Sequence, residues 1–182
     1  MAVWFYGGFA AVAYAIMFWW YGWDLFQPAP HWFFWSGIAL LAGLAVCFGF
    51  KAFFGGFRWA QDMEDEFINV LGPITAAEAL VMAVSSAIGE ESVFRGVLQP
   101  WLGLVNATII FAVVHAPMSK KLRPWPFFAL AIGFLFAWLA QVSESIIPPM
   151  VTHATINGLN LYLIGQRAKQ LGIPRRDFPP EA

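Results

Sequence analysis

The sequence predicts an all-α polytopic membrane protein, and three observations carry that prediction. First, of its 182 residues 60% are hydrophobic and only 12% charged. A soluble domain is about 45–50% apolar and about 25% charged, and a chain of this length hides only about 70% of the surface its unfolded form exposes. Second, the apolar residues form long uncharged runs, close to the ~20 residues a membrane-spanning helix needs. Third, the lysines and arginines are confined to alternate connections between those runs. This composition excludes a soluble globular enzyme and a disordered chain. A net charge of −1 gives no electrostatic drive toward nucleic acid, so no such partner is expected. A single cysteine, Cys47, excludes an internal disulfide, a cysteine-based zinc site and an iron–sulfur cluster.

Six membrane helices are expected, roughly 3–22, 32–54, 74–98, 104–116, 126–142 and 147–165, in one domain covering residues 1–182. The first two runs carry no charge from Met1 to Trp23 or from Trp32 to Phe50, and the polar stretch Asp24–Pro30 separates them. Pro73 suits the first turn of the third helix. That helix is apolar but holds Glu78, Glu90, Glu91 and Arg95. The fourth is bounded by Pro117 and contains His115. At 13 residues it is too short to cross about 30 Å at 1.5 Å per residue. Either it continues past Pro117, or its ends sink into a protein-lined, water-filled recess, where irregular backbone is tolerated at membrane depth. The fifth run is uncharged, and Pro148 and Pro149 open the sixth, which carries His153. Residues 74–165 form the motif-bearing core, and 173–182 a polar tail after Gly172. The N-terminus lacks the basic region of a cleavable signal peptide.

Nine of the ten basic residues fall on one side of this arrangement. Lys51 and Arg58 follow the second helix; Lys120, Lys121 and Arg123 follow the fourth; Arg167, Lys169, Arg175 and Arg176 follow the sixth. The positive-inside rule then places both termini in the cytoplasm. Trp19, Trp20, Trp23, Trp32, Trp35, Trp101 and Trp138 are expected at the opposite boundary. Residues 59–72 mix apolar side chains with Asp62, Glu64, Asp65 and Glu66, and read as an acidic loop or an interfacial helix.

The tenth basic residue, Arg95, shares an apolar helix with Glu90 and Glu91. A charge at mid-bilayer costs about 2.5–3.5 kcal/mol, so these three require a reason. Glu91 and Arg95 are four apart, the spacing and order of a helical ion pair. Glu90 is rotated about 100° from Glu91 and has no partner in its own helix. A desolvated carboxylate without a neutralising partner suits a general base. His115 and His153 also lie in spans, and Asn157, four residues after His153, shares its face. His31 reads as interfacial, as does Glu78, and Ser85, Ser86, Ser143 and Ser145 read as packing or boundary residues. Glu144 is placed at the outer surface.

One glutamate and two histidines can activate water in two ways. Glu90, His115 and His153 could hold a divalent metal such as zinc, a His2Glu set with an open position. Alternatively, Glu90 and His115 polarise water without a metal, and His153 and Asn157 donate hydrogen bonds to the oxyanion. Asparagine, a neutral donor and an uncommon zinc ligand, favours the metal-free arrangement. Either route leads to amide hydrolysis within the membrane.

Three motifs add a family resemblance. Glu90-Glu91-Ser-Val-Phe-Arg95 resembles the EExxxR motif, Phe111-Ala-Val-Val-His115 the FxxxH motif, and His153-Ala-Thr-Ile-Asn157 the HxxxN motif of the CPBP (CAAX protease and bacteriocin-processing, or Abi) intramembrane proteases, which include the type II CAAX prenyl endopeptidases. The resemblance covers 90–157 and implies a helical fold with a conical cavity. It further implies that Glu90 and His115 activate water while His153 and Asn157 form the oxyanion hole. The expected partners are the lipid bilayer and a membrane-associated peptide or protein substrate; oligomeric state is not indicated. A prokaryotic plasma membrane is the expected location. The competing readings are a non-catalytic immunity or binding protein of the same family and a small transporter. The latter is disfavoured because the charges form one cluster and no inverted repeat is visible.

Overall fold

The elements follow from where the chain can bury, or expose to lipid, its apolar surface. In the computed structural model, residues 2–22, 31–117 and 119–175 are described; Trp23, the whole 24–30 connection, Arg176 and most of the 173–182 tail lie outside them. The described residues form helices α1 (Ala2–Tyr21), α2 (Trp32–Phe54), α3 (Arg58–Leu71), α4 (Ala76–Glu91), α5 (Gln99–Leu102), α6 (Leu104–Val114), α7 (Trp125–Ser143) and α8 (Ile147–Gln170). A π-helical segment, Ser92–Leu98, joins α4 to α5, and a short 3₁₀ turn, Lys120–Leu122, lies between α6 and α7. No strand occurs among them.

By length and composition three of these helices can cross a membrane: Val3–Tyr21, Trp32–Phe54 and Lys120–Ser143. A fourth is added if Arg58–Leu71 and Ala76–Leu102, bent by 102° at their junction, count as one span. The sequence led to an expectation of six. The difference has two sources. Helix α6 is only 11 residues long, and the second half of α8 is polar, ending in Arg167 and Lys169. The chain is an all-helical integral membrane protein, with large side chains such as Trp4, Trp19, Phe33 and Trp101 exposed along its apolar helices.

Residues 58–71 form a helix rather than a loop. Ala60, Met63 and Ile68 are buried on one face, while the acidic residues occupy the other. Ser119 donates to Glu66 at 2.6 Å and Lys121 pairs with it at 3.8 Å, so α3 is tied to the connection that follows α6. A capping box starts α4: the Glu78 amide donates to Thr75 Oγ1 at 3.2 Å and the Thr75 amide to Glu78 Oε2 at 2.8 Å. Arg175 also pairs with Glu78. Glu78 thus starts a helix, a more specific role than an interfacial charge. His31 is the exposed residue before α2, and Glu144, also exposed, ends α7 with a positive φ.

Pair contacts fix the helix directions. Tyr6 packs on Gly89 and Met17 on Gly96, so α1 runs alongside α4 and the π segment in the same sense. Glu91 meets His153, Ala83 meets Gly158 and Ile74 meets Gly165, so α8 runs against α4. Thr152 donates to the Ala39 carbonyl at 3.0 Å and Cys47 contacts the Ile156 carbonyl, so α2 runs with α8. One end of the bundle thereby collects the starts of α1, α4 and α7 and the ends of α2, α6 and α8. Lys51, Lys120, Lys121, Arg123, Arg167 and Lys169 all lie at that end.

Small residues allow the close approaches at the centre. A Cβ on Gly165 would stand 2.7 Å from the Ile74 carbonyl oxygen, and one on Gly43 would stand 2.8 Å from Thr155 Cβ. The core beside the site is built from Cys47, Phe94, Phe111, Ala129, Phe136 and Ile156.

Candidate active site

The π segment begins where the acidic pair ends. A proline inside an α-helix clashes with the carbonyl four residues earlier, and Pro100 stands four residues after Gly96. Widening the backbone to i→i+5 bonds accommodates it: the Gln99 amide donates to the Phe94 carbonyl. Such π turns recur at functional sites because they re-aim side chains. Here the wide turn carries Arg95 into the core, where it is 3% exposed. Its Nε meets Glu91 Oε2 at 3.1 Å, and Nη2 donates to the Gly133 carbonyl at 3.2 Å. Its guanidinium lies 5.0 Å from the centre of the Phe111 ring. The ion pair expected from the spacing is therefore formed, and both side chains are sealed from solvent.

Glu91 does more than brace Arg95. Its other oxygen, Oε1, lies 2.8 Å from His153 Nδ1. A carboxylate paired with arginine accepts only, so Nδ1 carries the proton and His153 turns Nε2 toward the centre. His115 is set in the same way. It caps the end of α6, and its Nδ1 lies 2.7 Å from the Phe111 carbonyl, which also only accepts. Its Nε2 faces Glu90.

The two rings converge on one oxygen. Glu90 Oε2 lies 3.5 Å from His115 Nε2 and 3.9 Å from His153 Nε2. This oxygen is buried and accepts no hydrogen bond. The Glu90 side chain as a whole retains 16% exposure and His115 22%, so the cluster is not fully enclosed by protein. Phe136 stacks on His153 at 5.0 Å with the rings 17° from parallel, and Phe111 lies 4.4 Å from His115, forming the apolar walls.

Asn157 sits one turn along α8 from His153. Its Nδ2 donates to Ser86 Oγ at 3.1 Å, and Ser86 in turn donates to the Ala83 carbonyl. Because that serine hydrogen is already committed, the asparagine must present its NH2 group there, which leaves its second N–H free. Ser86 is thus a support for Asn157 rather than a generic packing residue. A serine one helical turn before Glu90 is the signal in the sequence that points to it.

Of the sequence-predicted residues, Glu90, His115 and His153 meet directly. Glu91 and Arg95 support them from the buried side, and Asn157 is held on the same face of α8 as His153. Tyr6 of α1, which carries no motif, packs against Gly89, the residue before Glu90. Among the described residues no group of three or more His, Cys, Asp or Glu side chains is arranged to hold a metal ion.

The chain is 36% identical over 75 residues to the uncharacterized protein YpbD of Bacillus subtilis (strain 168). That match covers 40% of this chain and 38% of the relative, so the chain spans well under half of that protein's length. No solved structure matches. Residues 72–159, just under half of the chain and the part that carries all three motifs, are similar to the family of type II CAAX prenyl endopeptidase Rce1-like proteins, the relationship that the motifs lead one to expect.

Proposed function

We propose that the protein is an intramembrane endopeptidase that hydrolyses a peptide bond in a membrane-associated substrate. The observation that carries this reading is the meeting of Glu90 Oε2 with the Nε2 atoms of His115 and His153, from three helices, inside an otherwise apolar bundle. A buried carboxylate oxygen without a hydrogen-bond donor, beside two oriented imidazoles, suits the removal of a proton from water.

In the mechanism we infer, a water molecule lies between Glu90 and His115. Glu90 takes its proton as the water oxygen attacks the carbonyl carbon. Charge builds on the carbonyl oxygen, where the free N–H of Asn157 and Nε2 of His153 donate hydrogen bonds. His153 gives its Nδ1–H to Glu91, so it donates from Nε2 when the ring is doubly protonated. Glu90 then passes the proton to the amide nitrogen and the C–N bond breaks. No step is routed through a metal. We further propose six crossings, formed by α1, α2, the α4–π–α5 rod, α6, α7 and α8, with both termini cytoplasmic in a prokaryotic plasma membrane. Helix α6 would traverse only about half of the 30 Å hydrocarbon core, which sets His115 below the membrane surface.

The test is cleavage by the full chain in proteoliposomes. Farnesylated CAAX peptides and unmodified membrane-anchored peptides would be offered side by side, with products read by mass spectrometry. Glu90→Gln is expected to lower cleavage by about 10²–10⁴-fold while leaving the unfolding temperature unchanged. Wild-type rates in that variant would sink the proposal.

A further inference from the structure

Two segments long and apolar enough to cross a membrane, Trp32–Phe54 and Lys120–Ser143, have ends that lie side by side. Phe50 and Phe54, at the end of α2, pack on Phe128, near the start of α7, with ring centres 5.0 and 6.0 Å apart. Trp59, in the first turn of α3, stacks on Phe128 at 5.6 Å with the rings 18° from parallel. This aromatic seam is open on its outer side, where Phe54 and Phe57 are exposed. Against it lies a cleft of about 310 Å³, lined by Trp59, Asp62, Lys120, Lys121, Arg123 and Pro124. The head of two spans is the depth at which lipid headgroups lie. The turn Lys120–Leu122 is 3₁₀, and the Arg123 amide donates to the Lys120 carbonyl. In such a turn side chains three apart eclipse, so Lys120 and Arg123 stand on one side, where like charges repel. Lys121 pairs with Glu66 at 3.8 Å, but among the described residues neither Lys120 nor Arg123 has an acidic partner. The cleft thus sets three cations against the single carboxylate of Asp62.

We propose that this cleft binds the phosphate of an anionic phospholipid, whose acyl chains lie along the aromatic seam. Arg123 supplies a planar fork and Lys120 a flexible point charge, two complementary ways of holding a phosphate. Trp59 brings an apolar ring with a polar N–H, a side chain suited to the membrane boundary. A free phosphate needs only the cations; the exposed aromatic rings beside them select an amphiphile. None of these residues belongs to the candidate active site, and the proposal does not rest on the endopeptidase reading.

The experiment titrates the full chain, in a neutral detergent, with phosphatidylglycerol and separately with phosphatidylcholine of the same acyl chains. Bound lipid is counted by native mass spectrometry. Phosphatidylglycerol is expected to bind more tightly than phosphatidylcholine by about tenfold. Lys120→Gln and Arg123→Gln are each expected to weaken phosphatidylglycerol by about fivefold, the worth of one cation beside an anionic lipid. Asp62→Asn is expected to strengthen it by a similar factor. Arg167→Gln and Asp65→Asn, at the same end of the bundle but outside the cleft, are expected to change nothing. All five side chains are exposed, so the fold should tolerate each change, and the unfolding temperature checks that it does. Equal affinity for the two lipids overturns the proposal. So does an equal loss in Arg167→Gln and Lys120→Gln, which would show a diffuse surface charge rather than a site. Displacement of the lipid by glycerol phosphate at matching concentration overturns the lipid assignment in favour of a soluble phosphate.

Discussion

Glu91 Oε1 lies 2.8 Å from Nδ1 of His153, while the other oxygen of the same carboxylate lies 3.1 Å from Arg95 Nε. One buried acid therefore does two things: it balances the arginine and it fixes which nitrogen of the histidine faces Glu90. Removing one partner of a buried ion pair leaves an uncompensated charge and costs about 3–5 kcal/mol. Glu91→Ala and Arg95→Ala are each expected to lower stability by about that amount, read by denaturant unfolding in detergent. Glu91→Gln retains an acceptor for Nδ1–H, so its loss of activity should be smaller than that of Glu91→Ala. Equal stability of Glu91→Ala and wild type would contradict the network.

His115 and Glu90 are expected to act as one unit on water. His115→Ala should reduce cleavage by about 10²–10⁴-fold, the usual worth of a positioned acid or base. Adding the Glu90→Gln change should then cost little more, because both substitutions remove the same step. Fully multiplicative losses in a double-mutant cycle would show that the two act separately.

Asn157 and Ser86 make a testable pair. Asn157→Ala removes a donor to the oxyanion and is expected to cost about 10²–10³-fold in kcat. Ser86→Ala leaves the amide in place but unanchored, so a smaller loss in the same direction is expected. A Ser86→Ala protein less active than Asn157→Ala would reverse the order of support.

Gly165→Ala tests the packing that brings α8 to α4. Its new methyl would meet the Ile74 carbonyl at 2.7 Å, and overpacking of this kind costs about 1–3 kcal/mol. The unfolding midpoint should fall accordingly. Because α8 carries His153 and Asn157, activity per folded molecule should fall with it.

Metal use is decided by chemistry in solution. Elemental analysis of protein purified without chelator is expected to find no stoichiometric zinc, and chelation is expected to leave cleavage unchanged. Stoichiometric zinc lost together with activity would reassign Glu90, His115 and His153 as its ligands.

Much of this was legible in the sequence because membranes impose strong local rules. Uncharged runs marked α1, α2 and α7 almost to the residue, and the i,i+4 spacing announced the Glu91–Arg95 pair. The three motifs named the residues that converge at Glu90. Less legible was anything set by contact between helices. The capping box at Thr75 and Glu78 was available as a spacing, yet hydropathy concealed it. The helix over 58–71 needed α3's packing against α8 and its tie to the loop after α6 to be distinguished from an acidic loop.

Composition and spacing alone set the membrane class, with too little charge for water, and marked three charges in the apolar core that needed partners. The assignment of those partners came only from the packing of the helices. Hydropathy and spacing are properties of one helix at a time, but a histidine's tautomer and an amide's orientation depend on atoms brought from elsewhere in the chain. Glu91 reaches His153 across 62 residues, and Asn157 reaches Ser86 across 71.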